Sequence, residues 1–394
     1  MPQTLESLFN KIRRLDIVTP QGVSGTLARE SRYVFNYQDI NPQAAVSLVM
    51  PVRQESYGSG DLMGVFAMNR PEGYLRYMIE ERLKRLGAPS DMFLLYLAGS
   101  NQIGRLTYTL SGQHPHPTVG ESLSTLLSSP SKALFEHLVD RYALGSGISG
   151  VQPKALVPLL PQEHSSLALE TVIVKAEGLD FPCLARNEYL CLLVAKEAGL
   201  TVPDFWLSDD GLLLIMSRFD RDAHGVALGF EDMAVLTGRN SAQKYQGSYE
   251  MIAKAVSIFA GVDALSQCYR LFERVALSCK LRDGDAHLKN FGMIYQHPAA
   301  ARQLAPVYDV VCTDIYPELD GKLALKLNKS KSFPTTQTLV DYGLRLGLSH
   351  HQVRHVLQRI DEAFVVVCER LSNDDRYQHD DLIMRIREAV YKED

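Results

Sequence analysis

The periodicity of apolar residues changes near residue 230 of this chain. Before that point, short β-type runs alternate with turns and single helices. After it, apolar residues recur at three- and four-residue steps, which places them on one face of an α-helix. The change predicts one lobe built around a sheet and one lobe that is helical. The length of 394 residues agrees, because a single hydrophobic core usually stops growing at about 250–300 residues. We therefore expect a cleft between lobes.

The composition is that of a folded protein without a strongly basic surface. Apolar residues make up 46% and charged residues 22%, and the formal net charge is -5. Because a protein that mainly holds nucleic acid usually has a basic face, we expect no strong direct nucleic-acid binding. The N-terminal sequence MPQTLESLFNKIRRLD lacks the apolar segment of a signal peptide. Apolar runs such as 93–99 and 363–368 are too short to span a bilayer. These features predict a cytoplasmic protein without membrane contact.

The cysteines also favour a cytoplasmic protein. The six cysteines lie far apart and form no C-x-x-C pair. That spacing is not typical of a zinc site. We expect reduced, mostly buried thiols.

Turn-rich segments divide the chain into three predicted domains. The polar segment 111–121 contains two prolines and two glycines, which interrupt regular elements. The change of periodicity near residue 230 marks the second boundary. The predicted domains are an α+β subdomain at 1–112, a sheet with one packed helix at 113–229, and a helical lobe at 230–394. The fold class predicted by this order is α+β.

Individual elements follow from the same patterns. Short runs rich in β-branched residues predict strands, and three- and four-residue apolar spacing predicts helices. The predicted strands are 32–37, 46–50, 106–108, 155–160, 171–175, 205–207, 212–217, 292–295 and 304–308. The predicted helices are 72–86, 122–144, 187–198 and most of 335–392.

The strongest chemical signal is the hexapeptide DAHLKN, residues 285–290, followed by a predicted strand that leads to Asp309. Phosphoryl transfer needs a carboxylate that accepts the proton of the attacking hydroxyl, and oxygen ligands that hold Mg²⁺ against the phosphates. Asp285 suits the first role, and Asn290 and Asp309 suit the second. Lys289 is expected to balance charge on the transferring phosphoryl group. The alternative is a polar turn, which Asp and Asn favour for local hydrogen-bonding reasons.

A lysine and a glutamate upstream fit the same chemistry. Lys175 ends a β-branched strand, and Glu188 follows it near the start of a predicted helix. In kinases a strand lysine reaches the ATP phosphates and is oriented by a helix glutamate. Alternatively, Lys175 lies at a surface strand end, Asn187 caps the helix and Glu188 interacts with the helix dipole.

The segment 145–154, GSGISGVQPK, predicts a phosphate-binding loop. Its glycines allow backbone N–H groups close to phosphate oxygens, and Lys154 adds charge. The segment lacks the Gly-Lys-Ser/Thr ending of a Walker loop.

The segment LLLIMSRFDR, residues 212–221, predicts a connection between lobes. Its backbone at Ser217 can bind the adenine edge while Phe219 covers the ring. A core strand that ends in a surface Arg-Asp pair is the alternative.

Seven motifs, in this order, resemble the HipA family of toxin kinases from type II toxin–antitoxin systems: GISGVQPK, IVK, RNEYLCLLVAKEAGL, MSRFDR, KYQGSYE, GDAHLKNFG and LAPVYD. The resemblance covers roughly residues 20–320, and GTL, YVFNY and PEGYLR are similar to the family's N-terminal subdomain. It implies a bilobal protein-kinase-like fold, related to phosphoinositide kinases, with an all-helical C-terminal lobe.

The same resemblance implies roles for individual residues. Asp285 is the implied catalytic aspartate, with Lys289 beside it, and Asn290 and Asp309 are the implied Mg²⁺ ligands. The residues implied to contact ATP are Gly150, Val151, Lys154, Lys175, Ser217, Phe219 and His287.

The family's activity is ATP- and Mg²⁺-dependent phosphorylation of protein serines, with aminoacyl-tRNA synthetases among its substrates and a DNA-binding antitoxin as partner. The resemblance therefore implies a serine/threonine kinase with such a substrate and partner. Two alternatives stay open, a catalytically weak nucleotide-binding regulator that binds an antitoxin–DNA complex, and a kinase of small molecules.

Two positions depart from the family pattern. Many relatives autophosphorylate a loop serine where this chain has Gly147, so Ser149 becomes the autophosphorylation candidate. Asp283 adds a carboxylate two residues before Asp285. We expect these two acids to share a titration or compete for metal.

Overall fold

A computed structural model describes residues 5–38, 40–110, 120–142, 152–160, 171–178 and 180–392. The strands are β1 (Arg14–Thr19), β2 (Gly22–Arg29), β3 (Tyr33–Tyr37), β4 (Tyr57–Ser59), β5 (Thr107–Thr109), β6 (Lys154–Pro158), β7 (Thr171–Ala176), β8 (Phe205–Leu207), β9 (Leu213–Ser217), β10 (Gly229–Asp232), β11 (Gly292–Tyr295) and β12 (Arg302–Leu304).

The α-helices are α1 (Leu5–Leu8), α2 (Gly64–Ala67), α3 (Gly73–Arg82), α4 (Asp91–Ala98), α5 (Leu123–Ser128), α6 (Ser131–Tyr142), α7 (Leu184–Glu197), α8 (Met233–Leu236), α9 (Tyr249–Ala260), α10 (Ala264–Lys280), α11 (Thr336–Arg345), α12 (His350–Leu371) and α13 (Leu382–Val390). Short 3₁₀ helices lie at Pro42–Ala44, Lys84–Leu86, Ser241–Gln243, Gly261–Asp263, Leu288–Asn290, Thr313–Ile315 and Asp375–Tyr377.

The N-terminal part is an antiparallel sheet in the order β4-β3-β2-β1-β5. Alternate residues of β1, such as Leu15 and Ile17, are fully buried, as expected for a strand with one face on a core. Gly25 lies where a Cβ atom would come within 2.2 Å of the Asn36 carbonyl oxygen. Only glycine therefore permits this close approach of β2 and β3.

The middle part is a second antiparallel sheet in the order β6-β7-β9-β8, with α7 packed against it. The registers place Lys154 of β6 directly opposite Lys175 of β7. The strands predicted at 155–160, 171–175 and 212–217 correspond to β6, β7 and β9, and the helix predicted at 187–198 corresponds to α7. This sheet therefore carries both predicted phosphate-binding lysines.

The C-terminal lobe is helical apart from a small sheet in the order β10-β11-β12. The strand predicted at 292–295 is confirmed as β11. The strand predicted at 304–308 is wrong, because the strand found here ends at Leu304 and Pro306 follows, which cannot donate to a ladder. The chain after Leu304 instead leads into the left-handed turn at Asp309, where φ is 48°.

Two predictions in the first half of the chain also need correction. The helix predicted at 122–144 is two helices, α5 and α6, because Pro130 interrupts it. The strand predicted at 46–50 is only an isolated bridge between Ser47 and Met50. The Ser47 hydroxyl and the Leu48 N–H donate instead to Glu231 of β10.

Buried carboxylates join the N-terminal part to the rest of the chain. Glu231 is fully buried and also accepts a hydrogen bond from the Tyr295 hydroxyl. Burial raises the pKa of Glu231 to about 7, although these donors oppose the shift. Asp220, also fully buried, accepts from Arg218, from Arg221 and from the Gly104 N–H at 2.6 Å.

The buried apolar residues of all three parts form one continuous core. The six cysteines are buried in it as free thiols. In the part of the chain that the structure describes, one helical stretch, Tyr249–Lys280, is long and apolar enough to cross a membrane by length and composition alone, a test that core helices also pass. In this fold the stretch is two helices, α9 and α10, that pack against each other around Gly261.

Candidate active site

A cleft of about 570 Å³ lies where the three parts of the chain meet. Each part contributes side chains to its walls. Met68 and Ile103 come from the N-terminal part, Lys154, Lys175 and Met216 from the middle sheet, and Lys244, Asp285, His287, Lys289, Asn290 and Asp309 from the C-terminal lobe. The predicted lysines and acids of the two lobes are therefore brought together in one cavity.

Lys175 is the centre of a buried ionic cluster. Its ammonium donates to Glu188 of α7 at 2.6 Å and to Asp309. The Nζ atom of Lys154 lies 3.9 Å from the other carboxylate oxygen of Asp309. Lys154, Lys175 and Glu188 are buried, and the Asp309 side chain is 35% exposed toward the cleft. The cluster thus places two lysines and a partly accessible carboxylate at one point.

The charges of this cluster shift one another's protonation. Burial would raise the pKa of Asp309, but Lys154 and Lys175 outweigh burial and hold this pKa well below its usual range. Burial would lower the pKa of Lys175, yet Asp309 and Glu188 keep it above its usual value. For Lys154, burial prevails over Asp309 and the pKa is lowered. Asp309 is therefore a carboxylate at physiological pH.

Asn290 connects the loop of Asp285 with the loop of Asp309. Its Nδ2 atom donates to the carbonyl oxygens of Asp285 at 3.2 Å and Asp309 at 3.1 Å. The guanidinium of buried Arg274 donates to the carbonyls of Tyr308 and Asp309 from the other side. These bonds support the positive φ of Asp309, a conformation that Asp tolerates better than most residues. The remaining polar atom of the Asn290 side chain is Oδ1, an oxygen that can bind a metal ion.

Asp285 is held by two neighbours. The Tyr245 hydroxyl donates to Asp285 Oδ1 at 2.7 Å, and the Asp285 N–H donates to Asp283 Oδ1 at 3.1 Å. Asp283 is fully buried and also accepts from the Ser278 hydroxyl at 3.0 Å. Burial raises the pKa of Asp283 to about 8, with Arg274 opposing and Asp285 adding to the shift. Asp283 therefore supports the loop through its bond to the Asp285 N–H. It is not among the residues that line the described cleft.

Lys289 reaches across to the N-terminal part. Its ammonium donates to Glu72, the residue before α3, at 2.7 Å and to the Ser241 hydroxyl at 3.1 Å. The Ser241 hydroxyl in turn donates to Glu72. The predicted catalytic lysine is thus positioned by a carboxylate from another part of the chain.

His287 lies in the cleft wall with its ring edge-on to Tyr245 at a centroid distance of 5.1 Å. Burial lowers the pKa of His287 to about 4, so the imidazole is neutral at physiological pH. Its Nδ1 atom is buried and has no hydrogen-bond partner among the described residues. Since buried polar atoms are nearly always satisfied, this atom suits a polar group of a bound ligand.

Two family models match the chain. The HipA-like C-terminal domain matches residues 146–367, and the HipA N-terminal domain matches residues 15–109. The chain belongs to the HipA family. The fold is also that of HipA. The HipA chain in a complex from Shewanella oneidensis MR-1, described as HipA with HipB and operator DNA, superposes with a TM-score of 0.71, 17% identity and coverage of 95% of both chains.

Relatives of this chain in other bacteria carry kinase names. A Haemophilus influenzae protein named "Putative kinase" is 30% identical over 203 residues, which are 46% of this chain and 57% of that protein. A Sinorhizobium fredii protein named "Putative kinase Y4dM" is 26% identical over 322 residues, which are 76% of this chain and 74% of that protein.

Three aromatic residues form one part of the cleft wall in this HipA-family fold. Phe219 stacks on Tyr308 at a centroid distance of 5.0 Å and meets Phe230 edge-on. Ser217, by contrast, is not brought into the described lining of the cleft, and its N–H donates to the Asp204 carbonyl at 2.8 Å. Met216 lines the cleft instead. The strand register explains this difference, since successive side chains point to opposite faces.

Several predicted HipA residues cannot be placed. Gly150, Val151 and the autophosphorylation candidate Ser149 lie outside the described residues, as does Gly147. Their roles stay predictions.

The sequence patterns assigned no role to three residues of this site, which are Glu72, Lys244 and Tyr245. Two of the motifs that resemble HipA, PEGYLR and KYQGSYE, contain them. The motifs were therefore the signal that could have located these residues.

Proposed function

We propose that this protein is a HipA-type serine/threonine protein kinase that transfers the γ-phosphoryl group of Mg-ATP to a protein hydroxyl. The observation that carries the proposal is Lys175 bonded at once to Glu188 and to Asp309. In kinases the corresponding lysine–glutamate pair and metal-binding aspartate must both be in place for transfer. An ion pair that only stabilises the fold would not need a third charged group, such as Asp309, that is partly exposed in the cleft.

The acidic and amide groups fit Mg²⁺. Among the described residues, no group of three or more His, Cys, Asp or Glu forms a metal site. Mg²⁺ is usually bound by one or two carboxylates together with substrate phosphates and water, so a full protein cage is not required. Asp309 and Asn290 supply a carboxylate and an amide oxygen in the cleft. Bound there, Mg²⁺ would neutralise charge on the phosphates.

The protein's own residues then account for the transfer. Lys154 and Lys175 bind the phosphates of ATP, and neutral His287 offers its Nδ1 atom to the nucleotide. Asp285 accepts the proton of the acceptor hydroxyl, while Tyr245 holds one of its oxygens and fixes its direction. The acceptor oxygen bonds to the γ-phosphorus as the bond to the bridging oxygen breaks and ADP leaves.

We further propose a cytoplasmic toxin whose substrate is a translation protein such as an aminoacyl-tRNA synthetase. A DNA-binding antitoxin is its proposed partner. The complex of the Shewanella HipA with HipB and operator DNA supports such a partner, and the family resemblance supports the substrate class.

The test is transfer of labelled phosphate from Mg-ATP to proteins of a cell lysate. We expect labelled protein bands with the wild type and at least a hundredfold less label with Asp285→Asn, about the contribution of a general base. Asp341→Asn, which changes an exposed helix carboxylate, is the matched control and should label as the wild type does. ATP binding without any transfer would contradict the kinase and favour a nucleotide-binding regulator.

A further inference from the structure

Two lysines, Lys244 and Lys289, line the cleft close to Asp285, and their surroundings differ. Lys289 is held by Glu72 at 2.7 Å and Ser241 at 3.1 Å, and its side chain is 11% exposed. A carboxylate from the N-terminal part therefore already compensates the charge of Lys289. Of the three N–H donors of its ammonium, two are used in these bonds to Glu72 and Ser241.

Lys244 is bonded to the same loop through its main chain. Its carbonyl oxygen accepts a hydrogen bond from the Leu288 N–H at 3.1 Å, which joins it to the loop that carries Asp285. A capping box between Asn240 and Gln243 stabilises the turn before it. This hydrogen bond and the capped turn thus fix the main chain of Lys244 relative to the loop.

The ammonium of Lys244 lies 4.9 Å from the centre of the Tyr245 ring, whose hydroxyl bonds to Asp285. Among the residues that the structure describes, this ammonium has no hydrogen bond and no carboxylate within 4.0 Å. Burial lowers the pKa of Lys244, and Asp285 is the charge that most opposes this shift. A half-buried cation beside the proposed base, without an anion of its own, is suited to a ligand's negative charge.

We infer that Lys244 is a further catalytic residue, whose ammonium binds the oxygens of the γ-phosphoryl group beside Asp285. This is the role that the sequence pattern assigned to Lys289. The inference rests on the proposed kinase function. Its contribution is charge and hydrogen bonding to the non-bridging oxygens as the phosphorus moves from ADP to the acceptor. Lys289 becomes a positioning residue that fixes the loop to Glu72.

Kinetics of matched variants separate the two lysines. Lys244→Met should lower kcat about a hundredfold with little change in KM for ATP, because the contact matters most in transfer. Lys244→Arg, which keeps the charge, should recover at least about a tenth of the wild-type kcat. Lys289→Met should lower the melting temperature and reduce kcat less than about tenfold. Lys254→Met, an exposed position on α9, is the control and should leave kcat and melting temperature unchanged.

The inference is overturned if Lys244→Met keeps kcat within about twofold of wild type, or if Lys244→Arg is no better than Lys244→Met. A hundredfold loss with Lys289→Met alone would return the role to Lys289. Circular dichroism of each variant is the control for retention of the fold.

A labelling experiment tests the same contact without turnover. In an acyl phosphate of ATP, a lysine amine near the γ-phosphate attacks the acyl carbon, an amide forms and ATP leaves. We expect label on Lys244 that excess ATP prevents, and much less on Lys289. Label on Lys154 or Lys175 but none on Lys244 overturns the inference and leaves the proposed function standing. Absence of ATP-protected label on all of these lysines would contradict the proposed nucleotide site itself.

Discussion

Lys154 and Lys175 lie directly opposite each other on neighbouring antiparallel strands, and both are buried. Like charges in such a pair destabilise a sheet unless an anion lies between them. Here the carboxylate of Asp309 comes within reach of both ammonium groups. One carboxylate therefore compensates both buried lysines at this point, where the proposed function also places the phosphates of ATP.

Asp309→Asn should destabilise the protein and change how it binds nucleotide. Removing the anion leaves two buried lysines facing each other, at an expected cost of about 2 kcal/mol in the free energy of unfolding. That is below the 3–5 kcal/mol of a fully buried pair, because the Asp309 side chain is 35% exposed. Mg-ATP affinity should fall, whereas affinity for ATP without Mg²⁺ should not. Urea denaturation and calorimetry measure these effects, with the exposed Asp209→Asn as control. Equal Mg-ATP affinity in wild type and variant would refute the metal-binding role.

Tyr245→Phe should lower kcat about tenfold, since it removes the hydrogen bond that orients Asp285. The loss should be absent in the Asp285→Asn background, because the tyrosine acts through that carboxylate. Single-turnover phosphorylation by the four proteins of this double-mutant cycle measures the coupling. Additive losses would show that Tyr245 acts on something other than Asp285.

Glu231 should make the stability of the protein depend on pH. Its pKa is raised from 4.5 to about 7 by burial, with neighbouring Asp232 adding to the shift. The folded state therefore favours the protonated form, and this contribution is present in full below pH 4.5 and is lost as pH rises through 7. The loss is on the order of 3 kcal/mol.

Glu231→Gln should remove this part of the pH dependence. The measurement is the free energy of unfolding at pH 5 and pH 8 for wild type, for the variant and for the exposed control Glu388→Gln. The difference between the two pH values should shrink only in Glu231→Gln. If all three proteins show the same difference, Glu231 titrates in the same way in the folded and unfolded states.

Overproduction of the wild-type chain should arrest growth by inhibiting translation, and Asp285→Asn should abolish the arrest. The reason is that the proposed toxicity depends on transfer, in which Asp285 accepts the proton. Incorporation of labelled amino acids after induction measures translation, with Asp341→Asn as the control that stays toxic. An Asp285→Asn variant as toxic as wild type would show that binding, not catalysis, causes the arrest.

Local sequence patterns predicted the elements that carry the site. Short apolar runs, rich in β-branched residues in the case of β7, placed β7 and β11 within one residue of their observed ends, because such a run is a local property of the sequence. The strand predicted at 46–50 is wrong because the conformation of this segment depends on a residue far away in the sequence. Its polar groups are taken by Glu231, which lies 184 residues away from Ser47 in the sequence.

In the site, too, local patterns located some residues and missed the contacts between distant ones. Spacing indicated Asp285, Asn290 and Asp309 because they lie on two short loops of one lobe. The contact between Glu72 and Lys289 joins residues 217 positions apart. A single charged residue has no periodicity that could predict such a contact.

The burial of every cysteine makes this protein well suited to site-specific dyes. Maleimides react with accessible thiolates, and the six native thiols are enclosed in the core. A cysteine introduced at exposed Leu160 and another at exposed Ile258 would therefore be modified without first removing the native ones. Fluorescence energy transfer between these two positions would report whether the lobes approach each other when nucleotide enters the cleft.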